Sequence, residues 1–126
     1  MSLHLYNTKT RSIQEFSPLN PPLVSLYACG PTVYDKTHIG HMRKYIGDDI
    51  LRRTLTLLGY EVKHVMNITD VGHLSDDADA GEDKLEKGAQ KEGKTVWDIS
   101  NFYTDYFHTT MRAINVLHPT IEPRAT

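Results

Sequence analysis

Two histidines stand at the start of a helical pattern, directly after a loop that contains glycine. His38 and His41 fall about one helical turn apart, with Gly40 between them. The free N–H groups and the positive dipole end of a helix N-terminus favour an anion, and glycine lets the backbone approach phosphate oxygens. In this position the pair indicates a nucleotide site, whereas a His-x-x-His pair taken alone would equally suit a metal ion or a solvated helix start.

Cys29 is the only cysteine of the chain, which excludes an intrachain disulfide. Its thiol could be a small buried hydrophobe at a strand end, a metal ligand or a nucleophile. The residue type alone does not choose among these three roles. The role of the thiol therefore has to be inferred from the neighbouring residues.

The elements that position these residues follow from the spacing of apolar side chains. Leu23–Ala28 is a short apolar run bounded by proline and glycine, which is typical of a buried strand. Apolar residues spaced mostly by three and four over 40–58 predict an amphipathic helix that ends before Gly59. Residues 61–68 are rich in β-favouring side chains and predict a second strand. Strand, helix and strand form a βαβ unit, so we expect a parallel sheet and an α/β fold.

Three further segments have weaker or shorter sequence patterns. Residues 3–6 suit a short edge strand. A second helix is expected to begin at Thr95, whose hydroxyl can cap the first turn together with Asp98, and to end near Asn115. Residues 75–94 are rich in Asp, Glu, Lys and Gly and predict an exposed loop or a weak helix. The acidic residues there do not match the ligand spacing of an EF-hand.

The overall charge limits the class of partner. The formal net charge of −2 argues against a strongly basic face, so we expect no strong nucleic-acid binding by these 126 residues. The chain has no apolar run long enough to span a membrane, and its first residues lack the pattern of a signal peptide. A cytoplasmic location without membrane contact is the expectation.

Several separated segments resemble one enzyme family. The letters His-Ile-Gly-His at 38–41 match the signature of class I aminoacyl-tRNA synthetases, at the strand-to-helix position that it occupies in that class. The flanking letters are similar to those of cysteinyl-tRNA synthetases, and the likeness covers nearly the whole chain. These segments are Leu-Tyr-Asn-Thr at 5–8, Tyr-Ala-Cys-Gly-Pro-Thr-Val-Tyr-Asp at 27–35, Asn-Ile-Thr-Asp-Val at 67–71 and Glu-Pro-Arg-Ala-Thr at 122–126.

The resemblance implies an ATP site. Residues 1–126 would be the N-terminal part of a Rossmann-like catalytic domain, without its second half and without a tRNA-binding domain. His38 and His41 would be catalytic, because in the family both bind the triphosphate of ATP, supplied with Mg²⁺. They stabilise the α-phosphate as the amino acid carboxylate displaces pyrophosphate, which is charge stabilisation by fixed donors. Thr32 and Gly40 would also belong to the ATP site.

The resemblance also implies a zinc site for substrate cysteine. Cys29 would be a ligand of one Zn²⁺ ion in the intact enzyme, and Gly30 and Thr69 would line the cysteine pocket. A thiolate binds Zn²⁺ well and a hydroxyl does not, so such a bond separates cysteine from serine. The other zinc ligands and the second nucleotide motif, Lys-Met-Ser-Lys-Ser, are expected beyond residue 126. The chain by itself should therefore be inactive and should hold no stoichiometric zinc, because Cys29 alone falls three ligands short of a tetrahedral protein site.

The expected function of the intact enzyme is to activate cysteine with ATP and transfer it to tRNA(Cys). Three alternatives stay open: the related ligase that joins cysteine to an amino sugar in mycothiol synthesis, a nucleotidylyltransferase with a similar His-x-Gly-His element, and a non-catalytic binding module derived from a synthetase. One departure from many relatives is the segment at 72–75, Gly-His-Leu-Ser, where they have a short Asp-Asp-Lys run. What this segment contacts is not determined by the resemblance.

Overall fold

A computed structural model describes residues 2–71 and 95–126. The segments predicted at 72–75 and 75–94, including the excluded EF-hand, lie outside the described residues. The elements in chain order are β1 (His4–Asn7), β2 (Ser12–Glu15), β3 (Leu23–Ala28), α1 (Ile39–Leu57), β4 (Glu61–Met66) and α2 (Val96–Ala113).

The predicted βαβ unit is confirmed. Strands β3 and β4 pair in parallel, with Leu23 opposite Glu61 and Ala28 opposite Met66. The segment that follows α2 then runs parallel along the free edge of β4, where the N–H of Met66 donates to the carbonyl of Ile121 at 3.0 Å. The predicted α/β class is therefore correct, and the last residues of the chain form part of the same sheet region.

Helix α1 has the ends that the sequence predicts to within two residues. It begins at Ile39 because His38 serves as its N-cap, and its C-cap is Leu58. Gly59 follows with a φ of 90°, a left-handed conformation that glycine adopts without steric cost. The long helix therefore stops at the residue that the glycine pattern indicates.

The predicted buried face of α1 is only partly correct. The apolar residues whose spacing predicts this helix include Tyr45, Ile46 and Ile50. Tyr45 is buried, but Ile46 and Ile50 are 39% and 59% exposed. Asp49 is buried instead, and its carboxylate accepts hydrogen bonds from Nε of Arg53 at 2.6 Å and from the N–H of Leu117 at 3.1 Å. The helix is rotated so that this carboxylate holds the segment after α2, which the apolar spacing cannot reveal.

Helix α2 begins with the predicted capping box. The hydroxyl of Thr95 accepts the N–H of Asp98 at 3.1 Å, and the Asp98 carboxylate accepts the N–H of Thr95 at 3.1 Å. The helix ends at Ala113, and Asn115 has a positive φ of 58°. Both predicted ends are confirmed.

A compact apolar core lies between the helices and the sheet. The rings of Tyr45 on α1 and Phe107 on α2 meet edge to face, with centroids 5.0 Å apart. Val33, in the loop after β3, is 1% exposed and belongs to the same cluster. The loop that contains the candidate site is therefore anchored to the core by its own side chain. The buried members of the cluster are Val33, Tyr45, Met66, Ile68, Phe107 and Met111.

The N-terminal strands form a separate hairpin. The predicted edge strand at 3–6 appears as β1, displaced by one residue, and pairs antiparallel with β2. Strand β2 was not predicted, because all four of its residues are exposed and an alternating apolar signal is therefore missing. Within residues 2–71 and 95–126, no helix is long and apolar enough to cross a membrane.

Strand β4 places an imidazole in the interior, which predicts a pH-dependent stability. His64 is 4% exposed, and burial, followed by the positive charge of Arg52, lowers its pKa from 6.5. The unfolded chain then binds more protons than the folded chain, so stability is present above pH 6.5 and is lost as the pH falls through the folded pKa.

We therefore expect the urea midpoint to decrease between about pH 7.5 and about pH 5.5, measured in chelator-containing buffer. His64→Leu should weaken this dependence, whereas His4→Leu, at an exposed position, should retain it. Equal pH dependence in the wild-type chain and His64→Leu would contradict the prediction.

Candidate functional site

A cleft of about 300 Å³ opens between the loop after β3 and the first turns of α1. It lies at the carboxyl end of a parallel strand, which is where α/β folds usually bind ligands. Four of the predicted site residues, Gly30, Thr32, His38 and His41, line it. The other three, Gly40 in the first turn of α1 and Cys29 and Thr69 in the adjoining loops, are not among the lining residues.

The two histidines form a capping box with each other. Nδ1 of His38 accepts the backbone N–H of Gly40 at 3.1 Å, and Nδ1 of His41 accepts the backbone N–H of His38 at 3.1 Å. The two ring centroids are 3.8 Å apart. Both imidazoles are therefore fixed relative to the helix start and to one another.

These hydrogen bonds determine where the ring protons are. A backbone N–H can only donate, so both Nδ1 atoms are acceptors, and a neutral imidazole then has its proton on Nε2. Burial, followed by the positive charge of His38, lowers the pKa of His41, with a smaller opposing effect of Asp35. His41 is thus neutral at neutral pH. The helix start presents two Nε2–H donors beside a cleft, an arrangement suited to an anionic ligand.

Two glycines are required by close approaches. A Cβ at Gly40 would lie 2.9 Å from Cε1 of His38, so the absence of a side chain makes room for that ring. A Cβ at Gly30 would lie 1.5 Å from the backbone oxygen of Asn67. At this second position no side chain fits without separating the loops that follow β3 and β4.

Those two loops are joined by hydrogen bonds that bring predicted residues together. The N–H of Gly30 donates to Oδ1 of Asn67 at 3.0 Å, and the N–H of Thr69 donates to the carbonyl of Pro31 at 3.0 Å. Thr32 and Thr69 form a parallel bridge. Gly30, Thr32 and Thr69 therefore lie in one continuous backbone arrangement, although they come from different parts of the sequence.

Cys29 lies at the end of β3 with an exposed side chain. The sulfur makes one weak contact, with the carbonyl of Gly30 at 3.8 Å. Its own carbonyl accepts a hydrogen bond from Nζ of Lys44, which is also 2.6 Å from Asp48. This exposure excludes the buried-hydrophobe role for the thiol and leaves it accessible to a ligand or a metal ion.

Cys29 meets only part of the requirements of a zinc site. The donor type is suitable, because an exposed thiol can ionise and bind a soft or borderline metal. Over residues 2–71 and 95–126, however, Cys29 belongs to no group of three potential ligands. Cys29 can therefore contribute one ligand, and the others would have to come from outside the described residues.

Sequence reasoning missed two residues that shape this region. Oδ1 of Asn67 accepts hydrogen bonds from the hydroxyl of Tyr27 at 2.8 Å and from the N–H of Gly30. Asparagine is rare in strands, so an asparagine at the end of a β-favouring run could have indicated a specific side-chain hydrogen bond there. Lys44 gave no such signal, because its contact with Cys29 forms only when α1 folds back over the end of β3.

A third missed residue is Asp70, which is fully buried. Its carboxylate accepts hydrogen bonds from the hydroxyl of Thr126 at 2.8 Å and the N–H of Thr126 at 3.2 Å, and it lies 3.5 Å from Nη1 of Arg124. The loop after β4 is thereby tied to the final segment of the chain. The buried negative charge has both a cation and hydrogen-bond donors as partners, as burial requires.

Comparison with known proteins relates the chain to one enzyme family. Residues 15–126 match the family model described as tRNA synthetases class I (C) catalytic domain. Cysteine–tRNA ligase 1 of Burkholderia lata is 52% identical over 126 residues, which is 100% of this chain and 27% of that protein. The cysteine–tRNA ligase of Treponema denticola is 51% identical over 126 residues, covering 100% of this chain and 26% of the relative.

The cysteine–tRNA ligase of Zymomonas mobilis is 48% identical over 121 residues, covering 96% of this chain and 23% of the relative. The chain thus spans about a quarter of the length of the curated relatives that it matches. The resemblance that the sequence motifs indicated is confirmed. The match over residues 15–126 and the identities of about one half show that the chain belongs to the class I tRNA synthetase catalytic domain family.

Proposed function

We propose that residues 1–126 form the N-terminal part of the catalytic domain of a cysteine–tRNA ligase and supply the phosphate-binding half of its ATP site. The observation that supports this most strongly is the capping box between His38 and His41, which aims two Nε2–H donors from a helix N-terminus. The names of the relatives support cysteine as the amino acid. The second half of the domain and any tRNA-binding domain would lie outside this chain.

The proposed role of the histidines is to bind and stabilise the triphosphate of ATP. In amino acid activation, a carboxylate oxygen attacks the α-phosphorus and pyrophosphate leaves, so negative charge shifts among the phosphate oxygens. Fixed N–H donors stabilise that charge without reorganising during the reaction. Thr32 and Gly40 complete this part of the proposed site, since Thr32 lines the cleft and Gly40 leaves room for the ring of His38. Mg²⁺ would enter with ATP.

The proposed amino acid pocket lies beside the cleft, at Cys29, Gly30 and Thr69. Cys29 would provide one ligand to Zn²⁺, and such an ion would select the thiol of cysteine over the hydroxyl of serine. Gly30 lines the cleft, and its lack of a side chain lets the backbone of Asn67 pack against it. Thr69 is held by the N–H of its own backbone, which donates to Pro31, and by Nδ2 of Asn67, which donates to its hydroxyl at 3.1 Å.

Lys44 connects the two parts of the proposed site. Its ammonium donates to the carbonyl of Cys29 while its own backbone belongs to α1, the helix that positions His41. This side chain therefore links the backbone of Cys29 to the helix that carries His41. We propose Lys44 as a positioning residue, which acts through Cys29 and does not itself touch the substrate.

The test is pyrophosphate exchange into ATP by the full-length protein, with charging of tRNA(Cys) measured in parallel. We expect exchange that depends on cysteine and not on serine, followed by tRNA charging, whereas residues 1–126 alone should show negligible exchange. Robust exchange by the 126-residue chain would show that the site is not divided as proposed. Cysteine transfer to an amino sugar, with no charging of tRNA(Cys), would instead favour the mycothiol-type ligase.

A further inference from the structure

Three potential metal ligands meet where α2 is joined to the last segment of the chain. His108 comes from α2, and His118 and Glu122 come from the segment that returns to β4. Nε2 of His108 is 2.7 Å from Oε2 of Glu122, and Nε2 of His118 is 4.0 Å from the same oxygen. We propose that His108, His118 and Glu122 bind one Zn²⁺ ion, at a site that does not involve Cys29.

The geometry needs little adjustment to accept the ion. Ligand bonds of about 2.0–2.2 Å in a tetrahedral arrangement place ligand atoms about 3.3 Å apart. The three donor atoms here lie within 4.8 Å of one another, so one pair must separate slightly and another must close. The His118 side chain is 64% exposed and can turn inward without disturbing the core. Two imidazoles and one carboxylate are a donor set typical of zinc with one coordination position left for water.

A cavity beside these residues contains buried polar atoms that have no hydrogen-bond partner in the described part of the chain. A cavity of about 40 Å³ is lined by these three residues and by His64, which is 4% exposed. Both ring nitrogens of His64 and Oε1 of Glu122 are buried without a hydrogen-bond partner among the described residues. Such groups are costly to bury unpaired, and the cavity is large enough for a water molecule. A zinc-bound water in this cavity would offer a partner to one of these atoms.

The alternative without a metal ion is a single hydrogen bond between His108 and Glu122. It accounts for the 2.7 Å contact but for neither the convergence of His118 nor the unpaired atoms around the cavity. Zinc binding at Nε2 of His108 would replace its hydrogen bond to Glu122, and the proton of the neutral ring would then lie on Nδ1. The ion would then staple the C-terminal half of α2 to the segment that runs along β4. Its role would be structural, and would not depend on the proposed enzymatic activity.

The test is titration of the chelator-treated 126-residue chain with Zn²⁺ by calorimetry, with Co²⁺ as a spectroscopic probe. We expect one ion per chain and a Co²⁺ spectrum without a thiolate charge-transfer band. His118→Ala should weaken binding by at least about tenfold. His4→Ala, at an exposed histidine outside the cluster, and Cys29→Ser should bind as the wild-type chain does.

Circular dichroism of the metal-free variants checks that the fold is retained, as the exposure of His118 predicts. Glu122→Gln keeps the side-chain shape at a second ligand position and should weaken binding similarly, so the test does not depend on one variant. Absence of binding, unchanged affinity in both ligand variants, or loss of the ion in Cys29→Ser would each overturn the proposal. Because the readout is metal binding, failure here would leave the proposed ligase activity untouched.

Discussion

Replacement of His41 by alanine in the full-length protein is expected to lower cysteine-dependent pyrophosphate exchange by roughly 10²- to 10³-fold. The physical reason is the loss of one Nε2–H donor aimed at charge that develops on the phosphate, since removal of one such donor typically costs about 2.7–4 kcal/mol. His41 is half-buried and neutral at neutral pH, so the effect should come from hydrogen bonding and not from a lost positive charge. Steady-state exchange kinetics measure it.

His41 also caps the helix, and a matched pair of variants separates the two roles. Asparagine places an acceptor near the Nδ1 position and can still accept the N–H of His38, but it does not reach the Nε2 position. Glutamine reaches that position with an N–H donor and loses the cap. If the Nε2–H donor is what matters, His41→Gln should retain more activity than His41→Asn, while His41→Asn should be the more stable of the two. The reverse order of activities would show that His41 acts only as a helix cap.

Replacement of Cys29 by serine is the second large effect. In the full-length protein the variant should lose one zinc ion per chain, with affinity reduced by more than about 100-fold, because losing a ligand exceeds the 10- to 100-fold effect of losing an outer partner. Cysteine binding should weaken with it, and ATP binding should stay nearly unchanged. Metal content, cysteine titration and ATP titration on the same sample measure the three effects.

Because Cys29 is exposed, a serine hydroxyl at this position can be solvated and does not become an unpaired buried polar group. The loss of a metal ligand can therefore be measured without a loss of stability. Folding stability should therefore be close to that of the wild-type protein. Cys29→Ala serves as the matched control and should behave in the same way, because both changes remove the thiolate. A loss of stability without any selective effect on cysteine binding would contradict the proposed ligand role. A zinc ion at the site proposed for His108, His118 and Glu122 should be retained in both variants.

The sequence alone determined the elements whose signals are local. The βαβ unit follows from apolar periods, and the ends of the two helices follow from residues at their own termini, namely Gly59, Thr95 with Asp98, and Asn115. The His38–His41 pair could be assigned to an anion site because its position after a strand and before a helix is also a local property. The family resemblance rests on short contiguous segments of the same kind.

Other features were decided only by the tertiary structure, because each depends on residues far apart in the chain. Asp49 faces inward, against the apolar pattern, because it binds the N–H of Leu117. Gly30 is required because the backbone of Asn67 comes within 1.5 Å of where a Cβ would lie. The cluster of His108, His118 and Glu122 exists because the last segment turns back along β4. Sequence periodicity predicts that an element has a buried face, whereas the exact residues on that face and the contacts between distant segments depend on how the elements pack against one another.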